Sequence, residues 1–199
     1  MVIPYIIAAL VGYLLGGINS AIIVGKLSGV DVREHGSKNA GLTNAVRVLG
    51  KKKALFVLLG DVLKGVLACV FGIVLAPDTP SVMLLAGLMC VIGHNWPVYF
   101  GFKGGKGALT SVTVLFFADF RIALILIGVF ILLVALTRYV SLGSMTGAVL
   151  LPVFGIVFRK GLDFFIFSMI LAVMLVWRHR GNIQRLIKGE ESKLDLKKK

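Results

Sequence analysis

Residues 108–136 read ALTSVTVLFFADFRIALILIGVFILLVAL, and how often this stretch crosses an apolar layer decides the fold. It exceeds the ~20 helical residues that span a ~30 Å bilayer core, and its only charges are Asp119 and Arg121, on either side of Phe120. It is therefore either one long tilted span or two short spans, Ala108 to Ala118 and Ile122 to Leu136, turning at Asp119-Phe120-Arg121. Five further apolar segments accompany it: Ile3 to Val24, Ala54 to Ala76, Ser81 to Ile92, Leu142 to Phe158 and Leu162 to Trp177. Lys and Arg beside spans prefer the cytoplasmic face, and this settles the count. With two short spans, one face receives Lys26, Arg33, Lys38, Arg47, Lys51 to Lys53, Lys103, Lys106, Arg138 and the basic tail from Arg178 to Lys199. The opposite face holds only Arg121, Arg159 and Lys160. One merged span would send the tail to the face opposite the first basic loop. The expectation is an all-α integral membrane protein, a seven-span helical bundle with the N-terminus outside and the C-terminus cytoplasmic, forming a single domain over residues 1–199.

Composition agrees. The chain is 58% hydrophobic, more than a water-soluble fold of this size can cover with polar residues. The net charge of +13 gathers in short loops and tails, which points to topology. Nucleic acid is not the expected partner, because no basic helix face is interleaved with stacking aromatics. Cys69 and Cys90 lie inside apolar stretches without paired spacing, so neither a disulfide framework nor a metal site is expected. The start, Met1-Val2-Ile3-Pro4-Tyr5, lacks the positive region of a signal peptide, and a retained first span is expected.

On the seven-span reading, three unusual polar segments share the cytoplasmic side. The first, Gly36 to Arg47, gathers Ser37, Asn39, Thr43 and Asn44 around Gly36 and Gly41 and adds the phosphate-matching fork of Arg47. Asn44 and Arg47 share a face if this part is helical, with Thr43 or Asn44 as its N-cap. The second, Gly93 to Gly107, ends in Gly104-Gly105-Lys106-Gly107, unhindered amides plus a point charge suited to cradling a phosphate at a helix start. It is not a Walker A loop: Phe100 and Gly107 stand where glycine and Ser/Thr are required. His94 is a candidate general base or phosphoryl donor. The third, Arg138 to Ser144, also reads as a plain span junction. Within the second span Asp61 and Lys64 lie one turn apart, and such intramembrane charges mark either function or a self-neutralising pair that locks packing. His179 and Asn182 close the last span at the same face.

These features suit an anionic water-soluble substrate meeting an acyl chain from the bilayer. No Gly-x-Ser-x-Gly elbow and no Cys in polar surroundings is present, so a covalent acyl-enzyme is not indicated. The histidine–aspartate spacing of soluble glycerolipid acyltransferases is also missing, since Tyr99 stands five after His94.

At Gly36-Ser37-Lys38-Asn39-Ala40-Gly41-Leu42-Thr43-Asn44 with Arg47, Gly93-His94 through Phe102-Lys103-Gly104-Gly105-Lys106, Ser141-Leu142-Gly143-Ser144 and His179-Arg180-Gly181-Asn182-Ile183, the chain resembles the bacterial acyl-phosphate:glycerol-3-phosphate acyltransferases. The resemblance runs essentially full length. It implies acyl transfer from acyl phosphate to glycerol 3-phosphate, giving lysophosphatidic acid for phospholipid synthesis. It also implies a multi-pass bacterial cell-membrane protein with its site facing the cytoplasm. The donor would come from a soluble acyl-phosphate-forming acyltransferase, and no cofactor is implied. On this reading His94, Ser37 and Asn39 are catalytic. Gly41, Thr43, Asn44, Arg47, Lys103, Gly104, Gly105, Lys106, Ser141 and Asn182 bind phosphate, and Asp61, Lys64, Ser144 and His179 support them. The competing reading is a small carrier for phosphorylated metabolites. Against it, the polar segments lie on one side and no repeat is visible, whereas alternating access favours a midplane site between repeats.

Overall fold

The computed structural model describes residues 2–194, so Lys197 to Lys199 of the basic tail lie outside the described residues. All regular structure among the described residues is helical. Two compact units divide near Phe117 and Ala118. The first contains α1 (Val2–Gly17), α2 (Ser20–Leu27), α3 (Leu42–Leu49), α4 (Lys51–Leu75), α5 (Pro80–Asn95), a 3-10 turn (Val98–Phe100) and α6 (Ala108–Ala118). The second contains α7 (Phe120–Thr137), α8 (Val140–Val157), α9 (Leu162–Arg178) and α10 (Arg180–Ile187).

The long middle stretch does break at the charged tripeptide. Helix α6 stops at Ala118, and Asp119 starts α7 by accepting the backbone N–H groups of Arg121 (2.9 Å) and Ile122 (3.2 Å). Its carboxylate also pairs with Lys160 at 2.6 Å. A capping Asp satisfies donors that a helix start leaves orphaned, so the polar residues that looked like a loop are a helix cap.

Five stretches are long and apolar enough to cross a membrane, and six if α9 and α10, bent by 55° at their junction, count as one. Helix α6 has 11 residues, about 16 Å at 1.5 Å per residue, and is shorter than a bilayer core. The coarse expectation of a polytopic helical membrane protein therefore holds.

Four local expectations change. The first apolar segment is not continuous: it breaks at Ile18 and Asn19, where α2 begins. The third runs past Ile92, so His94 and Asn95 end a helix and do not begin a loop. Pro97 explains the stop, because a proline pushes the residue before it out of the helical region, and Trp96 has φ −131° and ψ 69°. Gly41, not Thr43 or Asn44, is the N-cap of α3. Ser141 and Ser144 lie inside the first turns of α8, not in a junction.

Small residues line the closest contact between helices, α1 against α5. Without water to drive apolar association, helices gain by close approach. Alanine or larger at Gly12 or Gly16 would run into the backbone carbonyls of Ala86 and Cys90, and at Gly93 into that of Tyr13. Helices α1 and α5 therefore touch backbone to backbone. Meanwhile Leu55, Phe56, Leu59 and Leu63 of α4 point outward, as lipid-facing side chains do.

Candidate active site

The first unit assembles most of the sequence candidates. Asn44, in the first turn of α3 and 1% exposed, is a loop organiser. Its Nδ2 donates to the carbonyls of Val32 (2.8 Å) and His35 (3.1 Å), and its Oδ1 accepts from the N–H of Ser37 (2.8 Å). These bonds shape the segment that presents Ser37 and Asn39; Ser37 and Arg47 are exposed, and Asn39 and Thr43 are half-buried. Arg33 secures the same segment, donating to Asp31 (2.7 Å) and to the Phe100 carbonyl (3.2 Å). The hydrogen bond from Arg33 holds the Asp31 carboxyl low, at about 2.

Below this loop lies a buried charged triad. Asp61 and Lys64, i and i+3 on α4, pair at 2.8 Å with side chains 1% and 4% exposed. The Lys64 ammonium also donates to the Ile18 carbonyl at 3.2 Å and lies 2.8 Å from His94 Nδ1. Asp61 Oδ1 is 3.7 Å from the same ring nitrogen. An ammonium has only donors, so Nδ1 facing it serves as acceptor and the ring proton sits on Nε2.

The glycine–lysine loop is laid on this triad. The Gly105 N–H donates to the His94 carbonyl at 3.1 Å. A side chain at Gly105 would strike His94 Nε2 and the Ala40 carbonyl, so only glycine lets the loop lie this close. Gly107, at φ +77°, delivers the chain to the start of α6. Gly104 and Lys106 are half-buried beside it, and Lys103 is exposed.

The second unit forms a separate polar cluster around Glu191. Its carboxylate accepts from Ser141 Oγ (2.6 Å), Asn182 Nδ2 (2.6 Å) and Arg185 Nε (2.7 Å). Burial alone would push this carboxyl up, but the three donors outweigh it and hold Glu191 below its ordinary value. The tail past α10 folds back, and the Leu194 N–H reaches the Arg138 carbonyl at 2.7 Å. His179, 4% exposed, has Nδ1 2.8 Å from the Leu175 carbonyl, so that nitrogen carries the proton. Ser144 bonds back to the Val140 carbonyl at 3.0 Å, a helix-internal use of its hydroxyl.

Two organising residues escaped the sequence reading. Glu191 reads in sequence only as part of a basic tail, although an acid among cations is a signal of pairing. Asn19 falls within an apolar span, although an amide within a membrane helix needs partners. It is fully buried and bonds to three segments. Among the described residues no group of His, Cys, Asp and Glu could hold a metal ion.

Comparison with known proteins gives this arrangement its context. The family described as Glycerol-3-phosphate acyltransferase matches residues 6–189. A glycerol-3-phosphate acyltransferase of Shouchella clausii is 46% identical over 203 residues, covering 99% of both chains. One from Clostridioides difficile is 44% identical, covering 99% of this chain and 98% of its own. The crystal structure of an integral membrane glycerol 3-phosphate acyltransferase, PlsY, in its glycerol 3-phosphate form superposes with a TM-score of 0.91 at 35% identity, covering 96% of each chain. Its lysophosphatidic acid form gives 0.87 at 34% identity, covering 96% of this chain and 95% of that one. With a family match over nearly its whole length and relatives this similar, the chain belongs to the glycerol-3-phosphate acyltransferase family.

Proposed function

We propose that this protein transfers a fatty acyl group from acyl phosphate to the hydroxyl of glycerol 3-phosphate, releasing inorganic phosphate and lysophosphatidic acid. The observation that carries the reading is the family match over residues 6–189 together with the glycine–lysine loop seated on His94 at the start of α6. Acyl phosphate is a mixed anhydride with a good leaving group, so no enzyme nucleophile is required. The acceptor hydroxyl attacks the acyl carbonyl carbon, the carbon–oxygen bond to phosphate breaks, and the hydroxyl proton passes to a substrate phosphate. The main tasks are to hold two phosphates close together and offset their charge, and oriented reactants can contribute ~7–11 kcal/mol.

Arg47, Lys103, Lys106 and the amides of Gly104 and Gly105 take the phosphates in this scheme, with Ser37, Asn39, Gly41 and Thr43 at the rim of the same loops. Asn44 acts through the loop it folds. The resemblance adds Ser141 and Asn182 to the phosphate-binding set, with Ser144 and His179 in support. The whole chain is read as one catalytic domain, fed by a soluble acyl-phosphate-forming acyltransferase.

Purified protein in detergent should form lysophosphatidic acid from the two substrates, which a carrier cannot do. Lys106→Ala and Arg47→Ala should each fold but lose tenfold or more in kcat/KM, since losing a charge-assisted hydrogen bond costs ~1.5–3 kcal/mol. Near-normal kinetics in both variants would remove the phosphate-cradle role.

We also infer seven crossings, with the N-terminus outside and the site and C-terminus cytoplasmic. The support is the lopsided Lys and Arg distribution and the helix break at Asp119. Cysteines introduced between Ser37 and Lys53 or after Arg178 should resist an impermeant thiol reagent applied to intact cells. Efficient labelling of either region overturns this topology.

A further inference from the structure

The first apolar stretch breaks at Ile18 and Asn19, in the middle of a 26-residue segment that is otherwise a membrane span. A break inside a bilayer exposes backbone groups that lipid cannot satisfy, so protein partners must. Here Lys64 takes the Ile18 carbonyl at 3.2 Å, and Asn19 takes one N–H of the helix that follows. Its Oδ1 accepts the Ile22 N–H at 3.1 Å and caps α2. Its Nδ2 faces the Ala40 carbonyl at 3.3 Å and the His94 carbonyl at 3.5 Å. The amide orientation follows from chemistry: reversed, its oxygen would face two carbonyl oxygens.

One carbonyl belongs to the loop before α3, and the other, at the end of α5, carries the glycine–lysine loop. Ala40 lies in the segment presenting Ser37 and Asn39, next to the Gly41 cap of α3. The His94 carbonyl also accepts the Gly105 N–H, which seats the glycine–lysine loop. One buried amide, 0% exposed, thus ties both loops to the start of the same short helix. Helix α1, just before the break, is set backbone to backbone against α5, so the anchor has little room to shift.

We propose that Asn19 is a positioning residue that sets the separation of the Gly36 to Arg47 segment from the glycine–lysine loop, and with it the alignment of acyl donor and acceptor. This rests on the reading above, in which groups of both loops together hold the phosphates of the two substrates. Each loop keeps its own phosphate-binding groups when the tie is cut, so binding survives while alignment fails. A misplacement of about 1 Å can cost ~10²-fold in rate. The cut should therefore appear in kcat and spare KM.

Asn19→Ser isolates the tie, because serine caps a helix well but cannot donate to two carbonyls at once. Asn19→Asp is the second variant, keeping the capping oxygen and replacing the donor by a carboxylate. With the full-length protein in detergent, both should show kcat lowered by tenfold or more and KM for each substrate within about threefold of wild type. Wild-type kcat in Asn19→Ser overturns the proposal. A loss confined to KM for one substrate also overturns it, since Asn19 would then serve one loop. Failure of both variants to fold overturns it as well, leaving only a folding role. Absence of transferase activity in the wild-type protein would instead defeat the functional reading itself.

Discussion

Asp61→Ala should lower the unfolding temperature in detergent more than any exposed substitution in this chain. The carboxylate is 1% exposed and is the ion-pair partner of Lys64, whose side chain is 4% exposed. Removing one member of a buried pair leaves the other charge without compensation, a loss of ~3–5 kcal/mol. Replacing both at once removes the orphan. Asp61→Ala with Lys64→Met should therefore unfold nearer to wild type than Asp61→Ala alone. It should remain inactive, because Lys64 also fixes Nδ1 of His94 and the Ile18 carbonyl. Thermal unfolding of the single and double variants measures the coupling directly. If Asp61→Ala melts with wild type, the pair does not stabilise the fold and its place beneath the loop needs another account.

His94→Ala should reduce turnover by ~10²-fold, through position and not through loss of a base. Sequence alone left both roles open for this residue. In the structure Nδ1 faces the Lys64 ammonium at 2.8 Å, which leaves the proton on Nε2, the nitrogen beside Gly105. A ring so arranged holds the loop and offers an N–H; it has no lone pair to spare toward substrate. Alanine would remove the surface on which Gly105 rests and let the glycine–lysine loop move. A general base must be neutral to act, so a base role would make the rate rise through the ~6–7 range of an imidazole. The expectation is that His94→Gln and wild type share one pH profile of kcat. A rise near pH ~6–7 that is present in wild type and absent from His94→Gln would restore the general-base assignment.

The sequence by itself determined the class of this protein, since residues 108–136 and the other apolar runs require a lipid-facing helical fold. It also marked the candidate loops. Gly36 to Arg47 and Gly104 to Lys106 stand out as dense in small polar donors, because phosphate binding by backbone amides and forked cations is a local requirement that leaves a local trace. Asp61 and Lys64 were legible as a pair because helical spacing puts i and i+3 together. What joins distant segments leaves no such trace. That Lys64 lies against His94, that Gly105 rests on the same ring, and that Glu191 gathers Ser141, Asn182 and Arg185 follow only from the packed helices. Asn19 is the plainest case. Nothing near it in sequence indicates the partners of its Nδ2, because Ala40 and His94 lie 21 and 75 positions away. A buried amide finds its hydrogen bonds in space, so which loops it ties together is decided when α1 and α5 dock.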